Sequence, residues 1–217
     1  MTLDLFDAAG AEVLRDERLG PGTVVLRAFA LPGVPEIHAA LGRIASQAPF
    51  RRMETPGGHR MSVAMTNCGP LGWVTDRRGY RYSALDPESG RPWPPLPDAL
   101  RRLAAGAAAR AGFPGFEPDA CLINRYEPGA KMSLHQDRNE VDFTQPIISV
   151  SLGLPATFLF GGMERSQRPM RVPLRHGDVL VWGGPDRLRY HGILPIREGE
   201  HPLLGRVRIN LTVRKAG

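Results

Sequence analysis

Residues 205–214 read GRVRINLTVR, and they close a series that starts at residue 120. Before them come ACLINRY (120–126), MSLHQD (132–137), PIISVSLG (146–153), TFLFGG (157–162), MRVPL (170–174), VLVWGG (179–184) and RLRYHGIL (187–194). Each segment is short, rich in β-branched and aromatic residues, and bounded by Gly, Pro or Asp. The spacing predicts seven or eight strands with little helix, and so a sandwich, jelly roll or barrel.

Upstream the texture changes. Residues 23–29 (TVVLRAF) read as a strand, and residues 35–47 as a helix with Ile37, Leu41 and Ile44 on one face. Residues 61–65 (MSVAM) and 80–82 (YRY) alternate as strands, and RPWPPLP (91–97) is a stiff connector. A second helix is expected over residues 98–112. The expectation is one domain over residues 1–217, mainly β (α+β). Residues 1–47 form an N-terminal extension, 48–95 a cover and 120–217 the scaffold.

The composition, 42% hydrophobic and 23% charged, is that of an ordinary globular protein. The 25 Gly and 21 Pro disfavour a helical bundle. A net charge of +6 raises the prior for a polyanionic partner. Lys131 and Lys215 are the only lysines, and that arginine dominance equally reflects genome base composition. Two cysteines, Cys68 and Cys121, cannot make a disulfide framework or a zinc ribbon. No basic leader and no long apolar run are present, so a cytoplasmic protein without a membrane partner is expected.

Chemistry gathers in three segments. In a strand, His135 and Asp137 project to the same face. Alone they read as a surface pair. His191, in a second strand-like segment, completes two imidazoles and a carboxylate, the facial set of non-haem Fe(II) oxygenases. Zinc hydrolases use a similar set. His38, His59, His176 and His201 lack such partners and read as surface or turn residues. In the closing strand Arg208, Asn210, Thr212 and Arg214 share one face. Alternation by itself favours a solvated basic edge strand. If both faces are buried, the two arginines demand anionic partners, and a dicarboxylate such as 2-oxoglutarate supplies one at each end. Asn124 and Tyr126 share a face with Leu122 and can orient a carboxylate.

Taken in order, LINRY (122–126), PGAK (128–131), LHQD (134–137), SVSLG (149–153), GDV (177–179), WGG (182–184), YHG (190–192) and NLTVR (210–214) resemble the AlkB family of DNA-alkylation repair dioxygenases. The resemblance continues upstream through TPGG (55–58), MSVAMTNCG (61–69) and LGW (71–73), and covers nearly the whole chain. It implies a double-stranded β-helix, or jelly roll, with a nucleotide-recognition lid over residues 48–95. It implies Fe(II) as cofactor, with 2-oxoglutarate and O2 as cosubstrates. The implied reaction is oxidative removal of alkyl groups from 1-methyladenine and 3-methylcytosine in nucleic acid, single-stranded DNA first and RNA second. Formaldehyde, succinate and CO2 are released. No dimer-forming stripe stands out, so a monomer is expected.

By the same resemblance, His135, Asp137 and His191 hold the metal. Asn124, Tyr126, Arg208, Asn210 and Arg214 hold 2-oxoglutarate. Trp73 stacks on the extruded base opposite His135, and Met65, Tyr80 and Tyr82 belong to the lid. Thr55, Arg138, Asn139 and Arg165 fall at substrate-contact positions. Members of the family typically carry an acidic residue where this chain has Asn139; Glu140, which follows, substitutes at most in part, since adjacent residues of an extended segment point opposite ways. Arg51, Arg52, Arg77, Arg78 and Arg138 are expected to meet phosphates. The rivals are an oxygenase of the same chemistry acting on protein or a small molecule, a non-catalytic nucleic-acid-binding module, and a zinc hydrolase.

Overall fold

The computed structural model describes residues 16–217; the first part of the N-terminal extension lies outside the described residues. The strands are β1 (Glu17–Gly20), β2 (Thr23–Leu26), β3 (Ala64–Cys68), β4 (Gly72–Asp76), β5 (Gly79–Ser83), β6 (Ala120–Tyr126) and β7 (Met132–His135). They continue as β8 (Ile147–Gly153), β9 (Ala156–Phe160), β10 (Met170–Leu174), β11 (Val179–Trp182), β12 (His191–Ile193) and β13 (Arg208–Arg214). The helices are α1 (Val34–Gln47) and α2 (Asp98–Arg110). A seven-stranded sheet runs β1-β2-β11-β8-β13-β6-β3, a four-stranded sheet runs β10-β9-β12-β7, and β4-β5 is a separate hairpin.

Two cores explain the layering. Ile209, Leu211 and Val213 of β13 join Ile123, Ile148 and Val150 against Ile37, Leu41 and Ile44 of α1 and Leu100 and Ala104 of α2. Burying each Val, Leu or Ile there contributes about 1.5–3 kcal/mol. Pro35 in the first turn of α1 and Asp98 at the start of α2 suit helix N-termini. On the opposite face, Phe158 and Phe160 of β9 and Ile193 of β12 pack with Ile147, Leu180 and Trp182. The seven-stranded sheet is therefore covered on both sides, by helices and by the smaller sheet.

Several sequence expectations change. β13 is no solvated edge: it pairs with both β8 and β6, and all seven of its residues are buried. Strand β2 stops at Leu26 because Ala28 turns at φ 56°, where its N–H donates to Asp178 Oδ1 at 3.0 Å. The strand expected over 61–65 is displaced to Ala64–Cys68, since Ser62 turns aside to donate to the Lys131 carbonyl at 3.0 Å. Of the segment 187–194, only His191–Ile193 is a strand. Arg189 is tied back to Asp186 at 2.7 Å, which bends the chain before it. Residues 48–95 are also not one cover, because β3 belongs to the main sheet and only β4-β5 stands apart.

Candidate active site

β7 and β12 pair antiparallel with His191 directly opposite His135. Both imidazoles therefore project to one face, with centroids 4.4 Å apart. Gly192 permits the close approach, since a Cβ there would lie 2.7 Å from the Met132 carbonyl. Asp137, two residues beyond His135, reaches the same point. Its Oδ1 lies 3.6 Å from His135 Nε2 and its Oδ2 3.6 Å from His191 Nε2. Ligand-type atoms of the three residues all lie within 4.8 Å of one another.

The tautomers are set by the backbone. A carbonyl only accepts, so His135 Nδ1 donates to Ser133 O at 2.9 Å and His191 Nδ1 to Arg189 O at 3.0 Å. Both Nε2 lone pairs are left facing Asp137, the arrangement a metal ion needs. The low-dielectric cavity and the neighbouring His191 push the His135 imidazole down to about 4, so it is neutral at pH 7. Burial opposes ionisation of Asp137, but the Arg214 guanidinium holds its carboxyl well below the usual range. Arg214 Nη2 donates to Asp137 Oδ2 at 2.6 Å, and Arg187 Nη1 to the Asp137 carbonyl at 2.7 Å.

These groups open into a cavity of about 780 Å³. Arg208 lies in its wall, 1% exposed, donating from Nη2 to Ser151 Oγ at 3.2 Å. Its Nε and Nη1 have no partner among the described residues. Burial pushes this guanidinium down to about 10. An unpaired buried charge costs several kcal/mol, so the arrangement fits a bound carboxylate. Asn124 Oδ1 is likewise unpartnered, while its amide donates to Asn210 Oδ1 at 3.4 Å. Tyr126 lines the same wall, its hydroxyl pushed up to about 12 by burial. The donor set and these open valences fit Fe(II) and 2-oxoglutarate. Arg214 differs from Arg208. Although burial opposes its charge, Asp137, Tyr82 and Glu140 raise its pKa, so it already has protein anions and does not demand a second carboxylate.

The base side is built on the hairpin. Trp73 and Tyr80 stack with centroids 5.6 Å apart, and both line the cavity. Asn67 clamps Trp73 by accepting its backbone N–H and donating to its carbonyl, each at 3.0 Å. Thr55, Arg138, Asn139 and Arg165 line the same cavity. Met65 does too, but from β3, as a fully buried residue of the main sheet and not of the hairpin.

Tyr82 is placed elsewhere. It does not line the cavity; its hydroxyl donates to Glu140 Oε1 at 2.6 Å and accepts from Arg214 Nη1 at 3.3 Å. Glu140 cannot substitute for a carboxylate at position 139. It is 6% exposed and turned inward, with Oε2 3.1 Å from Arg187 Nη2 and Oε1 3.3 Å from Arg214 Nε. Four of the five arginines expected at phosphates are paired: Arg51 with Asp86 and Glu88, Arg52 with Glu127, Arg77 with Glu54, Arg78 with Asp76. Only Arg138 of that set lines the cavity. His176 and His201 lie with ring centroids 4.3 Å apart in a tilted arrangement, and neither lines the cavity.

Sequence reasoning missed Ser149, Ser151 and Arg187. The serines had a signal: they alternate in SVSLG on the face that meets Asn210 and Arg208. Arg187 had none, because its partner Glu140 is remote in sequence.

Residues 22–214 match the 2OG-Fe(II) oxygenase superfamily. The chain is 56% identical over 215 residues to the alpha-ketoglutarate-dependent dioxygenase AlkB of Escherichia coli (strain K12), covering 99% of this chain and 98% of that one. It is 35% identical over 134 residues to the nucleic acid dioxygenase ALKBH1 of Mus musculus, covering 60% of this chain and 34% of that one. The solved structure of OsALKBH1 superposes with a TM-score of 0.81 at 28% identity, over 93% of this chain and 100% of that one. With its jelly roll and its His-Asp-His cluster, the chain belongs to the AlkB dioxygenases of the 2OG-Fe(II) oxygenase superfamily.

Proposed function

We propose that the protein is an Fe(II)- and 2-oxoglutarate-dependent demethylase of N-alkylated bases in nucleic acid, acting by direct reversal of damage. Its substrates are 1-methyladenine, 3-methylcytosine and related lesions, in single-stranded DNA first and RNA second. One observation carries the reading: a buried, incompletely paired guanidinium, Arg208, shares a cavity with the convergent His135, Asp137 and His191. A zinc hydrolase has no use for that cation, and a simple binding module has no use for either group. Bound Fe(II), with 2-oxoglutarate and O2, supplies an oxidant that hydroxylates the N-alkyl carbon, releasing formaldehyde, succinate and CO2.

The chain's own residues bind and orient. His135, Asp137 and His191 hold the metal, and the Ser133 and Arg189 carbonyls fix the two imidazole tautomers. Arg208 takes the far carboxylate of 2-oxoglutarate, helped by Ser151 and Tyr126, with Asn124 and Asn210 beside it. Arg214 keeps Asp137 ionised and aimed. The alkylated position lies on the pairing edge, so the base must leave the stack, and a single strand removes most of that cost. Trp73 and His135 then sandwich the base, a contact worth about 1–3 kcal/mol. Tyr80 backs Trp73; Thr55, Met65 and Asn139 shape the base side; and Tyr82 anchors the hairpin to Glu140. Arg138 and Arg165, both exposed beside the cavity, meet phosphates. Every group invoked comes from one chain, in keeping with a monomer. No helix among the described residues is long and apolar enough to cross a membrane. The free thiols of Cys68 and Cys121 suit the reducing cytoplasm.

The test is an assay on methylated single-stranded DNA and RNA oligonucleotides with Fe(II), ascorbate and 2-oxoglutarate. Formaldehyde and repaired base in equal yield are expected. Consumption of 2-oxoglutarate without demethylation would point to a protein or small-molecule substrate. No turnover by folded, iron-loaded protein would point to a binding module.

A further inference from the structure

Strands β7 and β12 pair as far as His135 and His191, and their ladder ends there. Asp137 lies two residues past that end. Side chains continue the join. Gln136 Nε2 donates to the Leu188 carbonyl at 2.5 Å, and Arg187 Nη1 donates to the Asp137 carbonyl at 2.7 Å. The segment that supplies Asp137 is thereby fastened to the segment that runs into His191. The Asp137 carboxylate is also drawn toward Arg214, whose Nη2 lies 2.6 Å from Oδ2. The bond from Arg187 acts on the main chain instead, so it fixes where Asp137 stands and leaves the carboxylate free for a metal ion.

Arg187 holds more than that one carbonyl. It is 3% exposed, and its guanidinium directs its donors at a single loop, residues 137–145, between β7 and β8. Nη1 takes the carbonyl at the start of the loop, and Nε donates to the Gln145 carbonyl at its end, at 3.1 Å. Nη2 lies 3.1 Å from Glu140 Oε2 in the middle. The Phe143 ring covers the guanidinium, with its centroid 5.4 Å away. One planar fork therefore closes the loop at both ends and braces its centre, which a single-point ammonium cannot do. The loop carries a metal ligand at its start and Arg138, in the cavity wall, beside it. Through Glu140 it also holds Tyr82 of the hairpin. Arg187 itself does not line the cavity.

We propose that Arg187 is a positioning residue: it sets the main-chain position of the metal ligand Asp137 and, through the same loop, the base side of the cavity. The inference rests on the demethylase reading and deepens it. Removing a partner that orients a metal ligand typically costs about 10–100-fold in metal affinity or activity. Arg208, on β13, makes none of these contacts, so the grip on 2-oxoglutarate is independent of Arg187.

The experiment compares the wild-type protein with Arg187→Lys, Arg187→Met and the double variant Arg187→Met/Glu140→Gln. The double variant removes the carboxylate that Arg187→Met would leave buried, so the test survives if the single variant fails to fold. Co(II) is the metal probe, its affinity and visible band read by absorption without turnover. The KM values for a methylated single-stranded oligonucleotide and for 2-oxoglutarate are read separately with Fe(II). Arg187→Met, or the double variant, is expected to bind Co(II) about 10–100-fold more weakly with a shifted band. The KM for oligonucleotide should rise while that for 2-oxoglutarate stays. Arg187→Lys should recover part of the Co(II) affinity, because an ammonium still reaches one acceptor. Unchanged Co(II) affinity and band in a folded variant lacking Arg187 overturn the inference and leave the demethylase reading intact. Equal rises in both KM values, with only the melting temperature lowered, reduce Arg187 to a structural role and overturn it as well. Wild-type protein that binds Co(II) but turns over no oligonucleotide overturns the demethylase reading, and the inference then stands or falls on the Co(II) comparison.

Discussion

Strand β13 and the hairpin β4-β5 both put side chains into one cavity, yet they are held in different ways. β13 lies between β8 and β6, pairing with β6 over all seven residues and with β8 from Arg208 to Val213. The direction of Arg208 and Asn210 is therefore fixed by two ladders. The hairpin pairs only with itself. It is tied to the body by side-chain hydrogen bonds: Asn67 to Trp73, Thr75 to the Glu54 carbonyl, Tyr82 to Glu140 and Arg214, and Trp93 to the Ser83 carbonyl. The cosubstrate is the same in every turnover and can be met by a rigid wall. Bases differ and must enter past phosphates, so their wall is attached by contacts that can change one at a time.

The sharpest way to break this division is to remove a metal ligand, which serves both walls. His135→Ala should lower demethylation by more than about a hundredfold, beyond the usual loss when only a ligand's partner is removed. Formaldehyde release measures it, and retained activity would sink the metal assignment. Arg208→Met tests the rigid wall alone. It should cost about 2–5 kcal/mol of 2-oxoglutarate binding, seen as a raised KM for that cosubstrate. The same variant, free of ligand, should unfold at higher urea by about 1–4 kcal/mol, because it no longer buries an unpaired cation. Lowered stability would show that Arg208 is satisfied without a ligand.

Tyr82→Phe tests the attached wall. It removes one buried hydroxyl from Glu140 and Arg214, at a cost of about 1–3 kcal/mol. The KM for oligonucleotide should rise while that for 2-oxoglutarate stays; equal change in both would show that the walls are one unit. The smallest effect belongs to Arg138→Ala. It should weaken binding alike for all lesions and reduce the salt slope by about 0.7 for a single strand. A lesion-dependent effect would place Arg138 on the base instead of the backbone.

The jelly roll was legible because its strands are short, alternating and punctuated by Gly and Asp. The metal cluster was legible because His135 and Asp137 are two apart and His191 lies in another strand. The burial of β13 was not. A strand that alternates charged and apolar residues has one wet face by default, and only the second sheet over Arg208 reverses that reading. Trp73 had no local signal either; its place beside Asn139 depends on a hairpin docking against a loop that lies 66 residues later. Glu140 read as a partial substitute for a carboxylate at position 139. Its inward turn follows from Arg187 and Arg214, cations that the sequence does not mark as its partners.

The position of β13 also bears on how the protein assembles. This strand comes last in sequence order among the described residues, yet it occupies the middle of the large sheet. Until it inserts, β8 and β6 each present an unpaired edge, and α1 and α2 have no Ile209, Leu211 or Val213 to close upon. The sheet therefore cannot zip up from one end during synthesis. Its completion waits on contacts of long sequence separation, the kind that fold slowly. During that wait the open edges are the surfaces on which two unfinished chains would pair and aggregate.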